Sequence, residues 1–292
     1  MKAKLATLVL LGITASWGST FFLVHDLVHR VPPVDFIAVR FTIAGVLLLL
    51  VAPRAVPRLS PAARRQSVVL GALYGVAQIL QTTGLAHTPA SVSGFITGMY
   101  VVATPLCAAV LLRNRITATT WAAVVVAFAG LAVLSLDGFS VGYGEALTFV
   151  AAMLFAFHIV GLGAWATERD ALGMSILQVV VVALIGLVAS APGGIVLPRS
   201  AGDWTSVVYM AVVPAGLALL GQTWAQAHLS ATRTAIVMST EPVFAALFAV
   251  ALGGESVTVR MLAGGLMVLV AIWLVELGPR RRVEGEVPHI AV

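Results

Sequence analysis

Long apolar runs, separated by short polar or Pro- and Gly-containing segments, follow one another along the chain to about residue 277. Each run holds about 20 residues, which at a helical rise of about 1.5 Å per residue spans a hydrocarbon core of about 30 Å. Pro32-Pro33 and Pro192-Gly193-Gly194 stand at joints between runs. The pattern predicts an all-α integral membrane protein with ten transmembrane helices. The predicted spans cover residues 5–24, 33–52, 66–86, 90–112, 116–136, 146–166, 172–196, 204–226, 232–252 and 258–277.

The pattern repeats when the chain is shifted against itself by 141 residues without a gap. Residues 81–87 then fall on residues 222–228, with matching Gln, Thr, Ala and His. Each half holds five predicted spans, and an odd number makes the second copy enter the membrane from the opposite side. We therefore predict two inverted five-helix repeats, residues 1–140 and 141–280, followed by a tail at 281–292. In secondary transporters of this architecture the substrate site lies between the copies, near the bilayer midplane.

Composition and charge support this interpretation. Hydrophobic residues make up 60% of the chain and charged residues 10%, which excludes an ordinary soluble domain. With the N-terminus in the cytoplasm, thirteen Lys and Arg residues lie on that side against three outside. This bias predicts that both termini are cytoplasmic. The basic residues alternate by loop instead of forming one basic face, so we expect no nucleic-acid partner.

The chain carries no enzyme motif that we recognise. His-Glu-x-x-His, Gly-x-Ser-x-Gly and a Walker loop are missing from the sequence, and Cys107 is its single cysteine. We therefore expect no catalytic activity, no cofactor and no metal site. Lys2 and Lys4 before an apolar run are also typical of a signal peptide, but this run is too long and aligns with the sixth span.

Arg40 and Glu241 are the charged residues that lie deepest inside predicted spans, and an ionised group at the centre of a span costs about 2.5–3.5 kcal/mol on insertion scales. Glu241 lies ten residues beyond Ala231, which is roughly 15 Å deep and close to the midplane. Arg40 lies about 9 Å below the outer surface, six residues from Val34. We expect Arg40 and Glu241 to form a charge pair with a role in gating. Snorkelling of Arg40, a purely structural pair and direct substrate contact all stay open.

Polar residues recur at helical spacing on several spans, and polar faces in lipid must look at protein or water. Tyr100 is the repeat counterpart of Glu241, and His158 is the counterpart of Trp17. Interhelical hydrogen bonding is the alternative explanation of these stripes. We predict a shared substrate cavity lined by Trp17, Tyr74, Gln78, Gln81, Thr97, Tyr100, His158, Gln222 and Glu241.

Several short segments resemble the EamA-type branch of the drug/metabolite transporter superfamily. The segments that carry the resemblance are Trp17–Phe22, Arg40-Phe41 with Ala44-Gly45, Thr88–Phe95, and Glu241–Leu247 with Gly253-Gly254-Glu255. One departure is Asn114, which occupies the repeat position of Glu255 where that family often has a Gly-Glu ending. The resemblance implies export of small metabolites or drugs, often amino acids or their analogues, across the bacterial inner membrane.

The predicted function is therefore a secondary transporter, an exporter that works by alternating access. Its expected partners are a small-molecule substrate and the lipid bilayer, with protons as a candidate coupling ion. A passive channel is the second hypothesis, although no ring of identical polar residues is visible. An intramembrane hydrolase using Ser93 and a histidine is the third. Substrate identity and oligomeric state stay open.

Overall fold

Helices make up nearly all of the computed structural model, which describes residues 2–112, 118–137, 140–229, 234 and 237–277. The predicted tail at 281–292 and Asn114 lie outside the described residues. The helices are α1 Lys2–Leu27, α2 Pro33–Val51, α3 Pro61–Leu85, α4 Ala90–Gly98, α5 Tyr100–Leu112, α6 Ala118–Ser135, α7 Tyr143–Trp165, α8 Ala171–Ser190, α9 Ala201–Met210, α10 Ala218–Gln226, α11 Glu241–Ala251 and α12 Val259–Leu277. A π-helical segment, Ala211–Leu217, joins α9 to α10.

Seven apolar stretches among the described residues are long enough to cross a membrane. They are α1, α2, α3, the α4–α5 stretch up to Ala109, α7, α8, and the continuous stretch Ala201–Gln226. Shorter apolar helices at Trp121–Val133, Glu241–Ala251 and Val259–Leu274 correspond to the other predicted spans. The membrane-protein class is confirmed, while the count of ten stays a prediction.

Three predicted spans are interrupted where the sequence pattern indicated continuous helices. The fourth breaks at Met99, between α4 and α5. The ninth has a turn at Ser239-Thr240, directly before α11 begins at Glu241. The eighth contains the π-helical segment, with Pro214 inside it. In the eighth and ninth spans a proline, Pro214 or Pro242, lies at the irregular segment. Proline lacks an N–H and cannot donate the regular bond to the carbonyl four residues earlier.

Some predicted boundaries are also wrong, for local reasons. α8 ends at Ser190 instead of 196, because Pro192 and Gly194, with φ +74°, do not continue a helix. α3 begins at Pro61 instead of 66, since the Ser60 hydroxyl accepts a hydrogen bond from the N–H of Ala63 at 3.1 Å. A short antiparallel pair, Leu136-Asp137 with Ser140-Val141, precedes α7.

The most extensive packing contacts pair α6 with α12, α3 with α7 and α8, α2 with α8, and α1 and α4 with α11. α4 crosses α11 so closely that a side chain at Gly94 would collide with Ala245, and one at Gly98 with the Pro242 ring. Small residues allow such close approach in membranes. The Gly94/Gly98 pair therefore lets the two interrupted spans approach closely.

Candidate functional site

A cavity lies at the point where the interrupted spans meet, and we call it the central cavity. The space between its lining atoms, including the open space at its mouth, is about 620 Å³. Its lining residues are Trp17, Thr20, Phe21, Val24, Arg40, Tyr74, Gln78, Gln81, Thr82, Leu85, Thr97, Tyr100, Phe155, His158, Ile159, Gln222, Met238 and Glu241.

All nine residues predicted to line a cavity, and Arg40, lie on this wall. Whether they contact a substrate stays a prediction. Sequence reasoning missed several neighbours. Thr20, Phe21 and Val24 could have been found, because they lie three, four and seven residues after Trp17 on one helix face. Phe155 and Met238 carry no polar signal that distinguishes them from other apolar residues in the spans.

Glu241 and Tyr100 form the polar centre of the central cavity. Each is the first residue after a helix break, and their side chains are buried, with residue exposures of 5% and 2%. The Tyr100 hydroxyl lies 2.8 Å from Glu241 Oε2 and 3.0 Å from the carbonyl oxygen of Met238. Because Glu241 opens α11, the positive end of that helix dipole also favours its carboxylate.

Two glutamines make repeat-related contacts on either side of this centre. Gln81 Nε2 donates to Thr97 Oγ1 at 3.0 Å, and Gln222 Nε2 lies 4.0 Å from the sulfur of Met238. Both members of the second contact lie 141 residues after those of the first. The same offset separates Tyr100 from Glu241. In each half of the chain, one glutamine therefore contacts the residue three positions before Tyr100 or Glu241.

Arg40 and Trp17 bind the irregular backbone of the eighth span. The indole Nε1 of Trp17 donates to the Pro214 carbonyl at 2.8 Å, and Arg40 Nε donates to the Met210 carbonyl at 3.0 Å. Pro214 has no N–H to give to the Met210 carbonyl four residues earlier, and Arg40 donates to that same carbonyl. The ion pairs among the described residues do not include the predicted Arg40–Glu241 pair. A charge pair with a role in gating therefore stays a prediction, and both residues line the central cavity.

His158 lines the central cavity and also contacts the neighbouring helix α8. Its ring lies 5.0 Å from that of Tyr74, and its Nε2 lies 2.8 Å from Gln178 Oε1. Gln178 Nε2 donates to the Met174 carbonyl, so Oε1 faces the histidine as an acceptor. His158 Nε2 therefore carries a hydrogen and donates it to Gln178.

Ion pairs link helices at the two ends of the molecule. Lys2 Nζ lies 2.8 Å from Glu168, whose carboxylate also lies 3.1 Å from His228 Nε2. The Lys2 ammonium holds the pKa of the exposed Glu168 carboxyl below its usual value. Arg30 lies 2.7 Å from both Asp26 and Asp203. Each of the two groups ties α1, or the loop after it, to the second half of the chain.

A further carboxylate lies at the start of α4. Glu255 accepts hydrogen bonds from the N–H and the hydroxyl of Ser91. A carboxylate is favourable at a helix N-terminus, so this contact ties the loop after α11 to α4.

The described residues provide no support for the hydrolase hypothesis. The Ser93 hydroxyl is buried and makes no hydrogen bond to any described residue. A serine nucleophile needs a base within hydrogen-bond reach, and no histidine occupies that place here. The described ranges also contain no group of three or more His, Cys, Asp or Glu that could hold a metal.

Comparison with known proteins assigns the chain to one group. The model of the EamA-like transporter family matches residues 4–136 and again residues 142–277. An uncharacterized transporter of Archaeoglobus fulgidus is 27% identical over 282 residues, covering 95% of this chain and 87% of that protein. The uncharacterized inner membrane transporter YedA of Escherichia coli K12 is 25% identical over 277 residues, covering 90% and 87%. A crystal structure that is 18% identical superposes with a TM-score of 0.70 over 94% of this chain and 97% of that one, which supports the fold alone.

Proposed function

This chain belongs to the EamA-like transporter family and is a multi-pass protein of the inner membrane. We propose that it is a secondary transporter. It exports small metabolites, such as amino acids, their analogues or drugs, by alternating access around the central cavity. The two halves, 1–140 and 141–280, act as inverted repeats that rock against each other.

The observation that carries this proposal is the contact between Tyr100 and Glu241 at the paired helix breaks. A carboxylate at this depth is expensive, and irregular backbone within a membrane occurs where it is buried in protein or lines a water-filled cavity. A packing role alone would be met at lower cost by apolar side chains. The combination of a buried carboxyl, two helix breaks and a cavity is typical of a transport site.

The offset of 141 residues indicates how this centre could serve two conformations. In an inverted-repeat carrier, exchanging the halves converts one state into the other, so a contact between residues i and j becomes one between their counterparts. Because Tyr100 and Glu241 are counterparts of each other, exchanging the two halves gives the same contact again. We infer that this pair lies on the pseudo-two-fold axis and is kept while other contacts exchange.

Protons are the coupling ion that this geometry favours. Tyr100 has one hydroxyl proton but faces two acceptors, Glu241 Oε2 and the Met238 carbonyl. If the carboxyl of Glu241 carries a proton, Glu241 donates to Tyr100 and Tyr100 donates to Met238, so both contacts become hydrogen bonds. If Glu241 lost that proton, the single Tyr100 hydroxyl proton could be donated to only one of the two acceptors.

Counterflow in proteoliposomes tests the proposed carrier. Vesicles are loaded with one unlabelled solute at a time from a panel of amino acids, nucleosides and cationic drugs, and trace labelled solute is added outside. A carrier accumulates label transiently above equilibrium, because exchange is faster than net flux. Equilibration without overshoot would identify a passive channel, and no flux of any panel member above protein-free vesicles would reject transport of these classes.

A further inference from the structure

Arg40 is a buried cation without an anionic partner among the described residues. Its residue is 4% exposed and lines the central cavity. Its Nε donates to the Met210 carbonyl, and its guanidinium carbon lies 5.6 Å and 5.2 Å from the ring centres of Phe36 and Phe41. The hydrogen bonds to described residues leave both terminal nitrogens, Nη1 and Nη2, without an acceptor.

A guanidinium in this position needs an acceptor for those nitrogens. Arginine keeps its charge in proteins and carries five N–H donors, of which the Met210 carbonyl takes one. The faces of Phe36 and Phe41 offset part of the desolvation cost through cation–π contacts, but ring faces do not replace four missing hydrogen bonds. The Met210 carbonyl and the two rings therefore do not compensate for burying the charge of Arg40.

The terminal nitrogens form a planar fork that matches a carboxylate, which can accept two parallel hydrogen bonds from it. The second charged residue on the cavity wall, Glu241, makes no ion pair with Arg40. The two charges are thus held apart within one cavity. Aromatic surfaces of Trp17, Tyr74 and Phe155 lie on the same wall and suit an apolar body.

Building on the proposed function, we propose that Arg40 is a specificity-determining residue that binds a carboxylate of the transported molecule. The substrate is a small amphipathic carboxylate whose anionic group meets the Arg40 fork and whose apolar body lies against the aromatic wall. Its binding supplies the acceptor that this guanidinium lacks within the protein. A cation without a carboxylate would instead face the positive charge of Arg40 with nothing to offset it.

Matched probes separate the carboxylate from the rest of the molecule. Each set shares one side chain in three forms, for example 3-phenylpropionate, phenylalanine and phenethylamine, with side chains from methyl to indole across the panel. Thermal stabilisation of the purified full-length protein in detergent gives the affinity for each. We expect the two carboxylate forms of at least one side chain to bind at least about tenfold more tightly than its amine. Equal or tighter binding of the amines, or no binding of any carboxylate, would overturn the proposal.

Substitutions then assign the carboxylate to Arg40. Arg40→Gln removes the charge, and Arg40→Lys keeps the charge without the fork. We expect both to lose carboxylate affinity about tenfold or more, with the larger loss in Arg40→Gln. Arg58→Gln, an exposed arginine outside the central cavity, should bind like the parent protein. If Arg40→Gln does not fold, Arg40→Lys alone decides, and unchanged carboxylate affinity in it would overturn the proposal.

Counterflow keeps this inference distinct from the proposed function. If amines exchange in counterflow and Arg40→Lys leaves the exchange unchanged, the chain is a carrier and the role assigned to Arg40 is wrong. If carboxylates bind but no solute shows counterflow, carboxylate recognition stands and the carrier proposal fails.

Discussion

The hydroxyl of Tyr100 connects the two halves of the chain at a single atom. It contacts Glu241 and the Met238 carbonyl, which the helix break at Ser239-Thr240 makes accessible to a side chain. The polar stripe on the fourth span predicted that Tyr100 faces a cavity. The stripe did not predict this contact, because helical spacing gives the face of one helix and not which helix lies opposite.

We expect Tyr100→Phe to reduce the rate of counterflow about tenfold while leaving membrane expression unchanged. The substitution removes the hydroxyl that contacts Glu241 and the Met238 carbonyl but keeps the ring that fills the space. Such a hydrogen bond is worth about 0.5–1.5 kcal/mol between neutral groups and about 1.5–3 kcal/mol when one group is charged. Tyr143→Phe is the matched control, since Tyr143 is 64% exposed and outside the central cavity. Full activity of Tyr100→Phe would show that the Tyr100 hydroxyl has no role in transport and that this residue serves packing only.

Gln81 tests the polar stripe on the third span. Its side-chain amide donates to Thr97 and is partly exposed to the central cavity. We expect Gln81→Ala to weaken counterflow by several-fold without lowering the yield of membrane-inserted protein, because it removes a lining group and not core volume. Wild-type counterflow in this variant would favour the alternative that the stripes only join helices.

Among the elements, the interrupted spans depart most from sequence expectation. Pro242 directly follows Glu241 in the sequence, and in the structure a turn at Ser239-Thr240 precedes Glu241. The break at Met99 has no proline beside it, and Pro105 lies inside α5 without interrupting it. The break at Met99 lies where the fourth span crosses the ninth, with Gly98 against the Pro242 ring. A pattern along one span contains no information about such a crossing.

Gly98→Ala tests this crossing through stability. The added methyl group would meet the rigid Pro242 ring, and overpacking of this kind costs about 1–3 kcal/mol. We expect a lower unfolding temperature in detergent. Gly12→Ala is the control, because a side chain at this exposed position of α1 meets no atom within 4 Å. Alanine there should be neutral or stabilise by up to about 1 kcal/mol, since it forms helix better than glycine. Equal unfolding temperatures for the two variants would contradict the close crossing.

At the scale of the whole molecule, the family and the membrane-protein class follow from sequence because they depend on composition and on motifs spread over the chain. The orientation in the membrane stays a prediction from the distribution of Lys and Arg. The relative positions of side chains across the central cavity do not follow from the sequence. Arg40 and Glu241 lie at depths that suggested a pair, but depth omits the direction in which each side chain points around its helix. Arg40 turns instead to the Met210 carbonyl.

The predicted orientation can be tested by labelling single cysteines on a Cys107→Ala background. Cysteines at Arg58 and Arg169 should resist impermeant thiol reagents added outside intact cells, and should react once the membrane is opened. Cysteines at His29 and Gly202 should react in intact cells. The reverse pattern would overturn the assignment of both termini to the cytoplasm.

The central claim is that Glu241 is the functional centre of an alternating-access carrier, and counterflow of Glu241→Gln across a range of pH tests it most directly. Glutamine keeps the shape of the side chain, so the variant should insert and fold, but it cannot exchange a proton. Glu145→Gln, at the start of α7 and outside the central cavity, is the control. We predict that Glu241→Gln loses counterflow, or retains it without the pH dependence of the parent protein, while Glu145→Gln behaves as the parent. Parent-like counterflow with an unchanged pH profile in Glu241→Gln would show that this carboxylate is structural and would contradict the account.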